Sequence, residues 1–340
     1  MDPDVIAPNL KRRLSGVTAT VVRLIPVQAR AMAIATTGPG LPAGLPHVPL
    51  WRMAFLPRDR WRVWHARRNS EMLLGLALRH VLRRRLKLLF TSAAQRRHTR
   101  LTKALIARMD AVVATSAKAA AFLDRPATVI LHGVDTAIFA PAADRAALRA
   151  ELGLPGGLII GCFGRIRAQK GVDLMVEAAL ALLPERPQVS VIFTGLATRG
   201  NADFLGTLTE RIAAAGLSDR IRFLGELPWD QVVRHYQALD LFCAPARWEG
   251  FGLTPLEAMA CGVPVVAADV GAFDALIPPG VGTLVPPGDA VALTAAVQDR
   301  LDDPARLAAA GLAARAHVLA NHRIEAEAQA LCVLYRGLLA

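Results

Sequence analysis

Two stretches of the chain carry residue types that can act on a phosphorylated, polyhydroxylated ligand. The first is Arg247-Trp248-Glu249-Gly250-Phe251-Gly252-Leu253-Thr254-Pro255-Leu256-Glu257, in which two carboxylates separated by seven residues flank a glycine-rich turn. Pro255 suits the first turn of a helix, which puts Glu249 on the preceding loop and Glu257 inside the helix. Gly250 and Gly252 carry no Cβ, so backbone N–H groups at the positive end of that helix are open to a phosphate. The second stretch is Gly161-Cys162-Phe163-Gly164-Arg165-Ile166-Arg167-Ala168-Gln169-Lys170-Gly171, which follows an apolar run and sets Arg165 and Lys170 just beyond it. A diphosphate gains negative charge as its bond to a sugar breaks, and fixed cations stabilise that charge more in the transition state than before it. Taken singly, each feature also fits a common βα turn or a solvated surface. Their joint order along one alternating pattern carries the reading.

The elements that must position these residues are legible from about residue 158 onward. Short apolar runs at Leu158–Phe163, Val189–Thr194, Ile221–Leu224, Leu241–Ala244 and Val263–Ala267 predict strands, and Val172–Leu183 and Asp203–Ala215 between them have helical spacing. That alternation predicts parallel βαβ units and a doubly wound α/β lobe. The first part is less regular, with strands expected at Asp4–Ala7, Arg62–His65, Leu86–Thr91, Ala111–Ala114 and Ala127–Leu131, and helices from Gly16, Ser70 and Gln95. Residues Thr37–Pro49 are rich in Gly and Pro and predict a loop; Asp135–Gly157 suits an interlobe linker. The expected division is a lobe at 1–145, a second at 146–322 and a terminal amphipathic helix at 323–340. Open α/β sheets bind ligands beyond the carboxyl ends of their strands, so two facing lobes would share one cleft.

The sequence has 340 residues, enough for two such lobes. Its mean hydropathy is high at +0.34, yet no apolar run escapes interruption by charge, Gly or Pro for the length a membrane span needs. The acidic opening Met1-Asp2-Pro3-Asp4 does not resemble a signal peptide, which predicts a cytoplasmic protein. Four dispersed cysteines form no C-x-x-C pair, which fits neither a zinc site nor a disulfide framework. The net charge of +12 is lopsided: residues 1–140 hold 23 Lys/Arg against 7 Asp/Glu, the remainder 17 against 21. Such a field favours an anionic partner, although many of these arginines could simply be solvated. A nucleic-acid binder is disfavoured, because no RRM, KH or zinc-finger pattern is present and aromatics make up only 5% of the chain.

The Glu249-x7-Glu257 pattern, with Gly164-Arg165 and Lys170-Gly171 before it, resembles the retaining nucleotide-sugar glycosyltransferases of family 4. The resemblance implies a GT-B architecture, two Rossmann-like doubly wound lobes facing a central cleft. It implies that Arg165 and Lys170, with Gly164, hold the donor diphosphate, that Glu249 contacts sugar hydroxyls and that Glu257 binds the ribose. It places the amides of Gly250, Phe251, Gly252 and Leu253 on the phosphates and sugar, and Thr194-Gly195 and Gly225-Glu226-Leu227 around the base. His65, in Val63-Trp64-His65-Ala66-Arg67-Arg68-Asn69, matches the family's histidine that contacts the donor sugar, although a histidine at a strand end is as often structural.

More narrowly, the first lobe resembles bacterial lipopolysaccharide-core mannosyltransferases through Pro8-Asn9, Ser15-Gly16-Val17-Thr18, Trp64-His65-Ala66-Arg67-Arg68-Asn69, Phe90-Thr91-Ser92-Ala93-Ala94-Gln95-Arg96 and His132-Gly133-Val134-Asp135. That likeness implies a GDP-mannose donor and an anionic, lipid-linked Kdo acceptor, with Arg12, Arg13, Ser15, Gly16, Arg67, Arg68, Arg96 and Arg97 on the acceptor side. Paired arginines suit its carboxylates and phosphates. A UDP-sugar donor on another acceptor is the alternative. No D-x-D pattern stands at a strand end, so no obligatory metal is expected and the cations would supply the charge instead. Residues 72–87, apolar and then basic, read as an interfacial helix for peripheral membrane contact or as a core helix with a solvated end.

Overall fold

The computed structural model describes residues 2–12 and 16–340. They form two compact units, one of residues up to Gly133 together with Ile324–Ala340, the other Val134–Arg323. Sequence placed the boundary about a dozen residues later and set the last helix apart. The segment expected as a linker instead folds within the second unit, where the helix Arg145–Glu151 is capped by the Asp144 carboxylate accepting the Ala147 N–H at 2.9 Å.

The first unit is built on six parallel strands, β1 Val5–Pro8, β2 Ile34–Thr37, β3 Arg62–Ala66, β4 Leu86–Ser92, β5 Ala111–Ala114 and β6 Thr128–Val129, in the order β2-β1-β3-β4-β5-β6. Alternate side chains feed opposite faces. Ile6, Trp64, Leu88 and Phe90 pack with Met72 and Leu78 of the helix Asn69–His80. Val5, Ala7, Val63, Leu89 and Val113 pack with Leu24 and Ile25 of the helix Gly16–Gln28 and with Leu331 and Tyr335 of the last helix, Ile324–Leu339. Burial on both faces explains why these strands read as apolar runs. Gly75 has a local reason: a Cβ there would lie 2.6 Å from the Trp64 ring.

The second unit repeats the plan with β7 Leu158–Phe163, β8 Val189–Thr194, β9 Ile221–Phe223, β10 Leu241–Ala244, β11 Val265–Ala268 and β12 Thr283–Val285, ordered β12-β11-β10-β7-β8-β9 and parallel throughout. Its five expected strands form, and β12 joins them at the edge. In each sheet the strand order reverses beside the first strand, between β1 and β3 and between β7 and β10. Loops leaving such a pair diverge to opposite faces and open a crevice at the carboxyl ends of the strands.

Candidate active site

The two stretches singled out in the sequence leave β7 and β10, the strands on either side of the second unit's crevice. After β7 the chain turns at Gly164, whose N–H donates to the Thr194 carbonyl at 2.9 Å, and passes through a short helical turn, Ala168–Lys170, to Gly171. Gly171 has φ +69, and a Cβ there would stand 1.9 Å from the Pro245 carbonyl oxygen. Only glycine lets these two loops close on each other. Arg247 reinforces the junction: its guanidinium grips both Asp173 oxygens at 2.8 Å, while its N–H donates to the Gln169 carbonyl at 2.9 Å.

This packing brings Lys170 Nζ into an ion pair with a Glu249 carboxylate oxygen, and the other oxygen accepts the Gly250 N–H at 2.9 Å. The cation of one stretch and the carboxylate of the other thus meet directly. Arg165 is exposed and makes no hydrogen bond or ion pair among the described residues. A small open pocket is bordered by Phe163, Gly164, Arg165, Lys170, Glu249 and Thr254, with Phe273 beside Gly252. Gly252, at φ +83, would drive a Cβ to 2.2 Å from the Phe273 ring. It leads into the helix Leu253–Ala260, on which Glu257 is buried. The positive end of that helix, the Arg165 guanidinium and the Lys170 ammonium form a surface suited to a polyanion. Glu249 supplies an acceptor for hydroxyl groups.

The loops after β8 and β9 adjoin the same edge. Gly195, at φ +137, lies so close that a Cβ would be 1.9 Å from the Gly164 carbonyl oxygen, and its N–H donates to the Gly225 carbonyl at 2.8 Å. Thr194 is buried; Gly225 and Glu226 are exposed, with Leu227 partly so. Beneath the pocket, burial pushes the Cys162 thiol up to about 12, against the opposing pull of Lys170, so it stays protonated and packs as a small apolar group. Thr254, Phe273 and the Arg247–Asp173 clamp escaped the sequence reading, because nothing local marks a residue that a distant loop will cover.

The first unit places its expected residues differently. His65 is buried: its Nδ1 lies 2.7 Å from the Tyr335 hydroxyl and its Nε2 2.6 Å from Thr91 Oγ1. Burial, then the Arg67 charge, hold its pKa well below the usual histidine range. The ring borders a small pocket with Arg67, Thr91 and His132, yet both nitrogens are already bonded. His65 thereby ties the last helix to β3 and β4. Arg68 lies in a second network. Its guanidinium donates to Glu71 at 2.6 Å, Asn9 Oδ1 at 3.0 Å and Thr18 Oγ1 at 3.0 Å, while Glu71, wholly buried, also accepts the Arg67 N–H at 2.8 Å. A neutralised network of this kind frames the loop ends after β1 and β3. The Arg67 guanidinium makes long contacts, 3.3 Å to the His65 carbonyl and 3.4 Å to its Nδ1. Arg12, Gly16, Arg96 and Arg97 are exposed. Arg13 and Ser15 lie outside the described residues.

Two parallel-sheet units, the second with a cationic pocket at its strand-order reversal, define a glycosyltransferase of the GT-B fold class. HepE of Anabaena, solved in complex with UDP, superposes with a TM-score of 0.86 over 98% of this chain and 100% of its own at 21% identity, a likeness of fold. The family model for glycosyl transferases group 1 matches residues 144–317, and the chain belongs to that family. It is 51% identical to the lipopolysaccharide core biosynthesis mannosyltransferase LpsB of Rhizobium meliloti (strain 1021), over 99% of this chain and 98% of that one. It is likewise 51% identical to the lipopolysaccharide core biosynthesis mannosyltransferase LpcC of Rhizobium leguminosarum bv. viciae, over 99% and 97%.

Proposed function

We propose that this enzyme transfers mannose from GDP-mannose to the Kdo inner core of lipid A during lipopolysaccharide core biosynthesis, with retention at the anomeric carbon, at the cytoplasmic face of the inner membrane. The observation that carries the donor site is the Lys170–Glu249 pair, set with an uncommitted Arg165 at the second unit's crevice. The sugar and the pathway are supported by two relatives, 51% identical along nearly their whole length, that bear the name of lipopolysaccharide core mannosyltransferases.

In this reading Arg165, Lys170, Gly164 and the amides of Phe251, Gly252 and Leu253 hold the diphosphate, with Gly250 leaving room beside them. Glu249 orients sugar hydroxyls, Glu257 the ribose, and the Thr194-Gly195 and Gly225-Glu226-Leu227 loops the base. The bond between the anomeric carbon and the diphosphate oxygen breaks as the acceptor oxygen bonds to the same face of that carbon, and the departing phosphate takes the acceptor proton. Positive charge already in place offsets the charge of the leaving group without an obligatory metal. Arg12, Arg13, Ser15, Gly16, Arg67, Arg68, Arg96 and Arg97 meet the anionic acceptor, and His65 contacts the donor sugar.

A donor panel tests this proposal. With Kdo-lipid A as acceptor, GDP-mannose should yield a mannosylated product with α anomeric geometry by NMR, and UDP-glucose and UDP-N-acetylglucosamine should not react. Turnover of a UDP-sugar in preference would overturn the donor, and a β product would overturn retention.

A further inference from the structure

The first unit exposes large apolar side chains in one neighbourhood. The short helical turn Leu50–Phe55 buries Met53 and turns Trp51 and Phe55 outward, 64% and 73% exposed. Phe55 stands edge-on to Trp51 with ring centroids 6.2 Å apart, and the Arg52 guanidinium lies 5.3 Å over the same indole. Next to it is the turn that ends the helix Asn69–His80, with Val81 and Leu82 exposed. Backbone-directed arginines lock the two segments together: Arg58 donates to the Leu82 carbonyl at 3.1 Å and Arg84 to the Leu56 carbonyl at 2.7 Å. The exposed apolar tips are therefore held rigidly on one surface rather than carried on a free loop.

The charge on these segments is mostly positive, with Arg60 and Arg62 paired to Asp2, Asp4 and Asp59 at one side. Arg52, Arg58, Arg83, Arg84, Arg85 and Lys87 belong to these segments, and Asp59 is the one acid in residues 50–62 and 81–87. An outward Trp and Phe beside solvated arginines match a bilayer interface, where aromatic rings settle at headgroup level and cations meet anionic phosphates. A protein partner of the usual kind would find few charges to neutralise beyond its own acids, whereas an anionic bilayer offers both the apolar depth and a continuous negative plane.

We infer that the Trp51–Phe55 turn and the Val81–Arg85 turn form the surface by which this enzyme docks on a bilayer containing anionic phospholipid. This deepens the proposed use of a lipid-linked acceptor, and it relocates the contact from the helix over residues 72–87, whose Met72, Gly75 and Leu78 are buried in the core, to the two turns beside it.

The test is sedimentation of the full chain with phosphatidylethanolamine vesicles with and without phosphatidylglycerol, in the absence of donor and acceptor. Trp51→Ser with Phe55→Ser removes the apolar tips; Arg52→Gln with Arg83→Asn removes two cations, Asn being chosen because Arg83 has φ +51. Wild type should bind the anionic vesicles in a salt-sensitive manner, and each double variant should bind about tenfold more weakly or worse. GDP release with a soluble, delipidated Kdo acceptor should be unchanged in both variants. Equal vesicle binding by wild type and variants overturns the inference, as does wild-type binding indifferent to phosphatidylglycerol. Self-association without lipid that both variants abolish would overturn it in favour of a second copy of the chain. Failure of mannose transfer alone, with lipid binding intact, would overturn the proposed function and leave this surface standing.

Discussion

Lys170 and Glu249, 79 residues apart in the chain, form an ion pair that joins the loop after β7 to the loop after β10. Their side chains are 23% and 17% exposed, so the pair is too wet to be a major source of stability. Lys170→Ala and Glu249→Gln should each lower the melting temperature by a few degrees at most, equivalent to about 1 kcal/mol or less. Turnover should fall by about 10²–10³ for Lys170→Ala, the size of loss seen when one preorganised charge-stabilising group is removed. Calorimetry alongside kinetics separates the two effects.

Gly195 and Gly153 make a matched comparison. Both have positive φ, +137 and +60, but an added Cβ at Gly195 meets a backbone oxygen at 1.9 Å while Gly153 faces open space. Gly153→Ala should cost about 1 kcal/mol from the left-handed backbone alone. Gly195→Ala should cost about 3 kcal/mol or more, because Gly164 must also move. Urea midpoints measure both, and donor binding should weaken only in the Gly195 variant.

Among the first unit's arginines, framework and ligand roles should part cleanly. Glu71→Ala leaves the Arg68 guanidinium buried without its carboxylate and should destabilise the protein by about 3–5 kcal/mol. Arg12→Ala and Arg96→Ala, at exposed positions, should leave stability within about 0.5 kcal/mol while raising the KM for the anionic acceptor. Chemical denaturation and acceptor titrations check the contrast.

Acid should weaken the second unit through His322. The residue is 3% exposed, and burial, then the neighbouring His317, lower its pKa to about 4. Its folded value lies below the unfolded one near 6.5, so the unfolded chain takes up the proton first. Stability is then intact above about pH 6.5 and falls as pH drops from there toward about 4, by roughly 2 kcal/mol with allowance for partial screening. His322→Gln should reduce the slope of urea midpoints across that window, with His65 and the other buried histidines supplying the remainder, and an unchanged slope would contradict the assignment.

The strands of the second unit were readable because both faces of its sheet are buried, which leaves continuous apolar runs such as Leu158–Phe163 and Val189–Thr194. β2 and β12 were not, because each adjoins a glycine-containing turn, at Gly38 and Gly282, that reads as loop. Sequence placed Lys170, Glu249 and their glycines on strand-end loops, since turn chemistry is local. It could not show that the two charges meet, because that contact depends on β7 and β10 being neighbours across the reversal. The same limit explains Arg68: its charge is visible in the sequence, whereas its partners, Asn9, Thr18 and Glu71, come from three separate elements. The last helix was recognised from its spacing, but not that Tyr335 would hold His65 and Glu327 would accept from His132 and the Gly133 N–H at 2.7 and 2.8 Å.

The most direct test of the central claim is acceptor-stimulated GDP release from GDP-mannose with Kdo-lipid A, compared between wild type and a Lys170→Ala variant shown by calorimetry to be folded. The account predicts release by wild type that rises with acceptor and falls by about 10²–10³ in the variant. Undiminished release by the folded variant would contradict a donor site built on Lys170 and Glu249.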